Sequence, residues 1–440
     1  MKRGFLSLLL IAAATPANSA VEETVWTLAA AVHQARTASP EAHAAAARVE
    51  AVRAAQARVK AGQWPALALE GRYLQTTEAM SAFGAILNQG SFDEEMNFND
   101  PGRIDAFTAA LQARHVLYTG GRQRAAEAAA AAHSASAEAE REAQLQALEL
   151  EVARTWFGVR EVEAANRTLE AAIEALAENL RVSRVREEAG ELHPTERLNL
   201  TAEHARRRQQ LLAGKHAEEL GRRQLAFLLG LPIEEPLQLA PDPASPIKLP
   251  ADFSWSHHPR LRAMKARLRE ADAHVRRAQG GHLPTVETFA RYQFDKGWRR
   301  TGEGDSWMAG IAVRVPIFDG FATRSDQRVA LAQRQAERSV WNRTQAELAL
   351  AMVNEQSRHA LAEAEVRVAT ERVLQARASA DLSRARYVAG SLSSTDLIDV
   401  EAQLIAAEMD LIRARYEEQF ARATLRHAGG LPLFAETPSS

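Results

Sequence analysis

The feature that most constrains how this chain folds is an internal duplication, because short motifs from its first half recur in its second half. Early in each copy the motifs recur at a shift of 219 residues, and later they recur at a shift of 200. The pairs are Ser39-Pro40-Glu41 with His258-Pro259-Arg260, Trp64-Pro65 with Leu283-Pro284, Tyr73 with Tyr292, Tyr118-Thr119-Gly120 with Phe318-Asp319-Gly320, Ala189-Gly190-Glu191-Leu192 with Ala389-Gly390-Ser391-Leu392, and Gly230-Leu231-Pro232 with Gly430-Leu431-Pro432. The shift changes by 19 residues between Tyr73 and Tyr118, so this segment is longer in the first copy. Two copies of one structural unit predict a duplicated fold.

The composition favours long, solvated helices with close contacts between small residues. Aromatic residues make up 6% of the chain and charged residues 25%, with both signs interleaved. The net charge of -2 gives no electrostatic argument for nucleic acid as a partner, and no basic cluster is interleaved with aromatics.

The first twenty residues have the pattern of a secretory signal peptide. Lys2-Arg3 precede an apolar run from Gly4 to Ala14, and small residues follow Pro16. Cleavage after Ser19 and cleavage after Ala20 fit this pattern equally well. The chain has no cysteine, which excludes disulfides and a lipid anchor on an N-terminal cysteine.

Two long stretches without proline predict the helices, because proline in a helix interior costs about 3 kcal/mol. In the first copy we expect helices at about 122–187 and 195–229, joined by a turn at 190–194. In the second copy we expect them at about 321–387 and 395–426, with a turn at Gly390. The longest would measure roughly 100 Å. Apolar residues at a spacing of seven indicate coiled-coil packing, in a layer of helices or along a single stripe, with His359 interrupting the series. The series is Met352, Val366, Val373, Ala380 and Tyr387.

Between the short and long helices of each copy, apolar and polar residues alternate with a period of two, which predicts four strands in two hairpins. The apolar positions are Leu67, Leu69 and Tyr73; Phe107, Ala109, Leu111 and Ala113; Val286, Ala290, Tyr292 and Phe294; and Trp307, Ala309, Ile311, Val313, Val315 and Ile317. Phe289 breaks the alternation. A length of about 10–12 residues suits a tilted transmembrane strand, although a half-buried soluble sheet would show the same pattern.

If these strands span a membrane, one chain cannot close a barrel, because about eight strands are the minimum and open edges are not tolerated in lipid. Three chains would supply about twelve strands, so the transmembrane interpretation requires an oligomer. The extra residues of the first hairpin, around Glu78 to Gly102, are expected to form an external loop.

These observations divide the chain into a predicted series of segments. The segments are a signal peptide at 1–20, a first repeat at 21–230 with a short helix, a β-hairpin at 66–118 and a long helical hairpin at 121–229, a Pro-rich linker at 231–252, a second repeat at 253–430 with a short helix, a β-hairpin at 285–317 and a long helical hairpin at 321–428, and a tail at 431–440.

Together, the duplication, the order of elements and the turn motifs resemble the TolC-like outer-membrane efflux protein family over essentially the whole mature chain. The most specific segment runs from Tyr387 to Val400, and it is similar to the family's Tyr-x-x-Gly…Asp-x-x-Asp turn. The segment from Val315 to Gly320 is similar to the family's strand-to-helix junction.

The resemblance implies a mainly α fold with a membrane β part. Each chain would contribute four transmembrane strands to a trimeric β-barrel in the outer-membrane lipid, which continues as a long α-helical coiled-coil tunnel. It also implies a passive conduit in a tripartite efflux or type I secretion system. The implied partners are two further copies of the chain, a periplasmic adaptor (membrane fusion) protein and an inner-membrane pump or ABC exporter. No cofactor is implied.

The resemblance also implies that Asp396 and Asp399 form acidic rings at the periplasmic entrance, with Glu196 in the position of Asp396 in the first copy. Alternatively, Asp396 stabilises the start of its helix, and Glu196 does the same for its own. Leu392 stands where the best-known members carry a basic residue that locks the closed state. The two turns are the expected adaptor-docking tips. These tips are Gly190, Glu191 and Leu192, and Gly390, Ser391 and Leu392.

The main alternative is a periplasmic coiled-coil adaptor or scaffold protein, which also uses long helical hairpins. An adaptor normally has one hairpin flanked by compact β modules, whereas every element here is doubled. An enzyme is disfavoured, because the chain lacks nucleophile-elbow, phosphate-loop and zinc-protease motifs. We expect no metal site, and His257-His258 fits a helix start better than a pair of metal ligands.

Overall fold

The computed structural model describes residues 25–97, 99–234, 237–240, 247–250 and 257–434. The expected signal peptide lies outside these residues, as do parts of the expected linker and tail. Contacts divide the chain into two units. The first unit comprises the N-terminal residues through Ala35, Val152–Pro246 and Ala369–Tyr416, and the second comprises Arg36–Glu151, Ile247–Val368 and the residues from Glu417 onward.

Eight α-helices are present in the described part of the chain. They are α1 Leu28–Ala38, α2 Pro40–Ala61, α3 Ala79–Asn88, α4 Arg122–Glu188, α5 Pro194–Leu229, α6 Pro259–Gln279, α7 Ala322–Val388 and α8 Ser394–Ala428. The four longest begin and end within two residues of the predicted positions. No described helix combines the length and the apolar character that crossing a membrane requires.

In the described part of the chain the strands form two sheets, one in each unit. In the first unit, β1 Val25–Trp26 pairs in parallel with β4 Gln238–Leu239, a pairing that the sequence did not predict. In the second unit, four antiparallel strands lie in the order β2-β3-β5-β6. These are β2 Ala66–Thr76, β3 Ile104–Tyr118, β5 Thr285–Gly297 and β6 Gly302–Arg314. The central pair, β3 and β5, joins the hairpin of one copy to the hairpin of the other.

The register places the predicted apolar residues on one face of this four-stranded sheet. Leu111 lies directly between Leu69 and Tyr292, and Tyr292 lies opposite Trp307. Phe289, which breaks the alternation, lies on the opposite face of the sheet, beside a glycine of the neighbouring strand. Its partner in the register is Gly310, and a Cβ at Gly310 would stand 2.7 Å from the Phe289 ring. The ring therefore covers the surface that the glycine leaves open.

Three expectations are corrected by the second unit. The insertion in the first hairpin is partly helical, because α3 buries Ala82 and Ile86 against Ile104, so it is not simply a loop. Strand β6 ends at Arg314 and not at Ile317, since Pro316 has no N–H to continue the ladder. Three strands are also longer than the expected 10–12 residues, with 15 in β3 and 13 in β5 and β6, whereas β2 has 11.

The first copy begins with two helices where one short helix was expected. Ser39 separates α1 from α2 and accepts a hydrogen bond from the Ala42 N–H at 3.1 Å, and Pro40 follows in the first turn. This is the usual arrangement at a helix N-terminus, because the proline needs no N–H there. His258, before Pro259, caps α6 in the same way, as the sequence predicted for this pair.

Candidate functional site

The two turns between long helices both lie in the first unit, and each contains a glycine in the left-handed region. Gly190 has φ of 79° and Gly390 has φ of 76°, a conformation that residues with a Cβ rarely adopt. Each turn also closes a helix end, since the N–H of Glu191 bonds to the Arg186 carbonyl and the N–H of Ser391 bonds to the Arg386 carbonyl. The repeated Ala-Gly motif is therefore a repeated helix-ending turn.

Asp396 stabilises the start of α8. Its backbone N–H donates to Ser393 Oγ at 3.2 Å, while the Ser393 hydroxyl donates to the Asp396 carboxylate at 2.8 Å. A carboxylate in the first turn also interacts favourably with the positive end of the helix dipole. The contacts of Asp396 thus match the helix-start alternative, although its side chain is exposed.

Asp399 lies one turn further along α8 and is also exposed. Within the described ranges it forms no hydrogen bond or ion pair with its side chain. Its spacing of three residues places it on the same helical face as Asp396. Of the two aspartates, Asp399 is the one whose carboxylate has no hydrogen-bond partner among the described residues.

Glu196 contacts the turn of the other copy. Its carboxylate accepts a hydrogen bond from the Ser394 N–H at 3.1 Å, in the first turn of α8. A side chain at the start of α5 therefore satisfies a free N–H at the start of α8, and it brings a second negative charge to that helix terminus.

A small apolar cluster packs the two helical hairpins together beside the turns. Tyr387, Leu397 and Leu200 have no exposed surface, and Leu176 completes the buried group. Leu392 packs against this cluster. Burial raises the pKa of Tyr387, the positive charge of Arg186 opposes this increase, and Glu196 adds to it.

Arg186 connects the end of α4 to the end of α7, and sequence analysis did not identify it. Its Nη1 donates to the Tyr387 carbonyl oxygen at 3.0 Å, and its guanidinium carbon lies 5.8 Å from the centre of the Tyr387 ring. A Cβ at Gly390 would lie 3.0 Å from Arg186 Nη2. One available signal was the recurrence of arginine at the same position in the second copy, Arg386.

The structure thus places every predicted entrance residue at the turns or in the first helical turns beside them. Glu196 accepts a hydrogen bond from the first turn of α8, which also contains Asp396, and Asp399 is exposed. Glu191, at the first tip, has its carboxylate 3.9 Å from Arg186 Nε and remains exposed. The polar and charged groups here are arranged to hold helix ends together and to present carboxylates to solvent.

Comparison with known proteins identifies the family. The sequence model of the family described as "Outer membrane efflux protein" matches residues 31–231 and 254–431, in two segments that correspond to the two copies. Among curated proteins, CyaE of Bordetella pertussis is 30% identical over 153 residues, which cover 31% of this chain and 31% of CyaE. The outer membrane efflux protein BepC of Brucella suis is 27% identical over 191 residues, covering 40% of each chain. The matched segments therefore span well under two thirds of these curated relatives.

Solved structures show the same fold over nearly the whole chain. The outer membrane protein VceC of Vibrio cholerae superposes with a TM-score of 0.77 at 20% identity, covering 92% of this chain and 97% of VceC. The outer membrane channel CmeC of Campylobacter jejuni gives a TM-score of 0.80 at 15% identity, covering 93% and 87%. The open-state channel MtrE of Neisseria gonorrhoeae gives 0.76 at 19% identity, covering 94% and 91%. With a family match over most of its length and this fold, the chain belongs to the outer membrane efflux protein family and is a protein of the outer membrane.

Proposed function

We propose that this chain is one protomer of a trimeric channel that passively conducts substrates from an inner-membrane pump or ABC exporter across the periplasm and outer membrane. In this proposal β2, β3, β5 and β6 are transmembrane strands, and the helices form a tunnel across the periplasm. The energy comes from the pump, and the chain supplies a sealed path.

The observation that carries the proposal is the exposed apolar face of the four-stranded sheet. Large apolar side chains there face outward in the single chain, with Trp307 76% exposed, Leu69 79% and Ile311 67%. An apolar surface of this kind in water marks a contact with lipid or with another protein. The strand lengths of 11 to 15 residues are sufficient for tilted membrane-spanning strands.

The other face of the sheet suits a water-filled interior. Arg114 and Glu287 form an ion pair at 2.6 Å, and Gln112 donates to Glu70 at 3.0 Å. The edge strands support an oligomer, because β2 and β6 each pair on one side alone in the part of the chain that the structure describes. Strand edges in lipid leave backbone groups without hydrogen bonds, so further copies must complete the barrel.

The turns at Gly190 and Gly390 are the proposed contacts for a periplasmic adaptor protein. They are the ends of the long helical hairpins, where Glu191 and Ser391 are exposed and Leu192 and Leu392 are partly exposed. Asp399, with Asp396, is the proposed source of negative charge at the entrance, while Glu196 holds the start of α8.

Because the chain has no cysteine, single cysteines can report which face of the sheet meets lipid. Ser306 and Trp307 are adjacent on β6, are both exposed in the single chain, and point to opposite faces. We expect Ser306→Cys to react with a membrane-impermeant maleimide in outer-membrane vesicles, and Trp307→Cys to react only after denaturation. Equal labelling of the two would contradict a transmembrane sheet.

The oligomer and the conduit need separate measurements. Chemical cross-linking of the detergent-extracted protein should give a trimer as the largest product, and the trimer should form channels in planar bilayers. The proposal would be contradicted if the protein fractionated with the soluble periplasmic proteins. It would also be contradicted if cross-linking gave no product larger than a monomer.

A further inference from the structure

Three potential metal ligands meet between α7 and α8 in the second unit. His359 and Glu363 are one turn apart on α7, and Glu418 is on α8. His359 Nε2 lies 3.9 Å from the Glu363 carboxylate and 4.0 Å from the Glu418 carboxylate. One ligand atom from each of the three side chains lies within 4.8 Å of the other two.

The imidazole is largely buried. The His359 side chain is 14% exposed, and its buried Nε2 has no hydrogen-bond partner among the residues that the structure describes. His359 also interrupts the apolar series of α7, in which Met352, seven residues before it, is buried and Val366, seven residues after it, is partly buried. A ring nitrogen without a hydrogen bond, about 4 Å from two carboxylates, is an arrangement that a bound cation would complete.

In the first copy of the duplication, the equivalent carboxylates are paired with arginine side chains. At a shift of 200 residues, Val159, Glu163 and Glu218 replace His359, Glu363 and Glu418. There Arg222 bonds to Glu163 at 2.6 Å and to Glu218 at 2.9 Å, and Arg160 bonds to Glu163 at 2.5 Å. Two arginines thus balance two carboxylates.

The second copy keeps the carboxylates but loses one of these arginines. Arg422, the equivalent of Arg222, pairs with Glu418, while Ala360 stands in the place of Arg160. Glu355, one turn before His359 on α7, adds a further carboxylate, which pairs with Arg358 at 3.6 Å through one of its oxygens. The carboxylates of Glu363 and Glu418 therefore have one arginine partner fewer than those of Glu163 and Glu218, and beside them is a histidine that the first copy lacks.

We propose that His359, Glu363 and Glu418 bind a divalent transition-metal cation of the Zn²⁺ type. One imidazole and two carboxylates are ligands that Zn²⁺ accepts in a tetrahedral site, with water in the fourth position. Ligand atoms about 2.0–2.2 Å from such an ion are closer to each other than they are here, so the flexible glutamates move inward on binding. Arg422 and Gln419 contact the Glu418 carboxylate and hold it in place. A bound ion would link α7 to α8.

The sequence alone predicts no metal site here, because Glu418 is far along the chain from His359 and Glu363. His359 and Glu363 alone form a common helical pair, and only the packing of α8 against α7 brings Glu418 to them. The pair His257-His258, which is adjacent in sequence, lies at a helix start.

The test is Zn²⁺ titration calorimetry of the full chain in detergent at neutral pH, with the variants His359→Val and Glu363→Gln. His359→Val installs the residue that the first copy carries at this position. We expect one Zn²⁺ per chain in the parent protein and an affinity at least about tenfold lower in each variant. Glu163→Gln, the equivalent change in the first copy, is the matched control and should leave the affinity unchanged.

X-ray absorption at the zinc edge should show one imidazole among the ligands of the bound ion. Circular dichroism establishes that each variant is folded, and Glu363→Gln tests the site even if His359→Val proves unstable. Unchanged Zn²⁺ binding in both variants would overturn the proposal. An equal loss of affinity in Glu163→Gln would also overturn it, as would the absence of Zn²⁺ binding in the parent protein.

Discussion

Arg186 donates a hydrogen bond to the backbone carbonyl of Tyr387 at 3.0 Å while its guanidinium also lies 5.8 Å from the centre of that residue's ring. One side chain at the end of α4 thus holds both the backbone and the aromatic ring at the end of α7. In the proposed channel these two helix ends flank the entrance, so this contact opposes their separation. In the proposed channel it would act as a cationic latch on α4, at a different position from Leu392, where the chain departs from the pattern that the resemblance implies.

We expect Arg186→Ala to weaken the closed arrangement of the entrance. A hydrogen bond from a charged donor is worth about 1.5–3 kcal/mol, which corresponds to a shift of roughly tenfold or more between closed and open populations. Single-channel recording in planar bilayers should show higher mean conductance or more frequent opening than in the parent protein.

Two controls separate this contact from a general loss of charge or of packing. Arg181→Ala removes an exposed arginine of the same helix, which pairs with Glu178 at 2.7 Å, and should leave the conductance unchanged. Tyr387→Phe removes a hydroxyl that is buried without a hydrogen bond and keeps both groups that Arg186 contacts. If Arg186→Ala conducts like Arg181→Ala, the contact does not control the entrance.

Asp399 and Asn199 occupy the same position in the two copies and allow the entrance charge to be removed or doubled. We expect Asp399→Asn to weaken block of the channel by multivalent cations by several-fold, about 1 kcal/mol per charge at close range, and Asn199→Asp to strengthen it. Asp396→Asn should affect block less, because the carboxylate of Asp396 lies in the first turn of α8, where the positive end of the helix dipole offsets part of its charge. The measurement is current block across a series of cation concentrations. Equal block in all four proteins would remove Asp399 from the entrance.

Much of the fold could be predicted from local patterns. The absence of proline and the glycines at the turns located four long helices, and the period-two alternation located the four strands and their apolar face. Helix α3 was missed, because the surrounding Asn, Gly and Pro residues indicated a loop. Its own spacing of Ala82 and Ile86, four residues apart, was a helical signal.

The details of the candidate site were less predictable, because they depend on contacts between segments far apart in sequence. Nothing local to Glu196 indicates that it accepts a hydrogen bond from Ser394. The position of Phe289 likewise depends on a contact with another strand. Phe289 breaks the alternation of apolar residues, and the strand register explains this by placing it opposite Gly310. The resemblance named the aspartates, whereas the contacts distinguish the engaged Asp396 from the unpaired Asp399.

A buried histidine predicts a pH dependence of stability. His258 Nδ1 accepts a hydrogen bond from the Arg260 N–H at 3.2 Å, which requires an unprotonated nitrogen. Burial, and then the positive charges of His427 and Arg260, lower the pKa of His258 from 6.5 to about 4. The folded state therefore disfavours protonation of His258. The contribution of the unprotonated His258 to stability is complete above pH 6.5, falls as the pH is lowered, and is lost below about 4.

We expect the free energy of unfolding in detergent to decrease by about 2 kcal/mol between neutral pH and pH near 4 because of this residue. His258→Asn retains a good helix cap without the titrating group, so it should make the stability less dependent on pH over this range. His216→Asn, at an exposed position, is the control and should follow the parent curve. A parallel decrease in His258→Asn and the parent protein would contradict the assignment.

Gly430 is held where a side chain does not fit. Its φ is 71°, and a Cβ there would lie 2.8 Å from His258 Cα. The residues around it attach the end of the chain to α4, since Gln146 donates to the Gly430 carbonyl at 3.1 Å and the Leu433 N–H donates to the buried Glu149 carboxylate at 2.7 Å. A substitution at Gly430 therefore strains the backbone and also displaces this attachment.

We expect Gly430→Ala to destabilise the protein by about 2–4 kcal/mol, of which about 1–2 kcal/mol is the cost of a left-handed conformation for a residue with a Cβ. Gly320→Ala separates the two effects, because Gly320 has φ of 66° and a Cβ added there would have no neighbouring atom within 4 Å. The Gly320→Ala variant should lose only the stability that the left-handed conformation costs, about 1–2 kcal/mol. Thermal unfolding followed by circular dichroism in detergent measures both variants against the parent protein. If the two lose equal stability, the contact with His258 costs nothing, and the end of the chain adjusts to admit the methyl group.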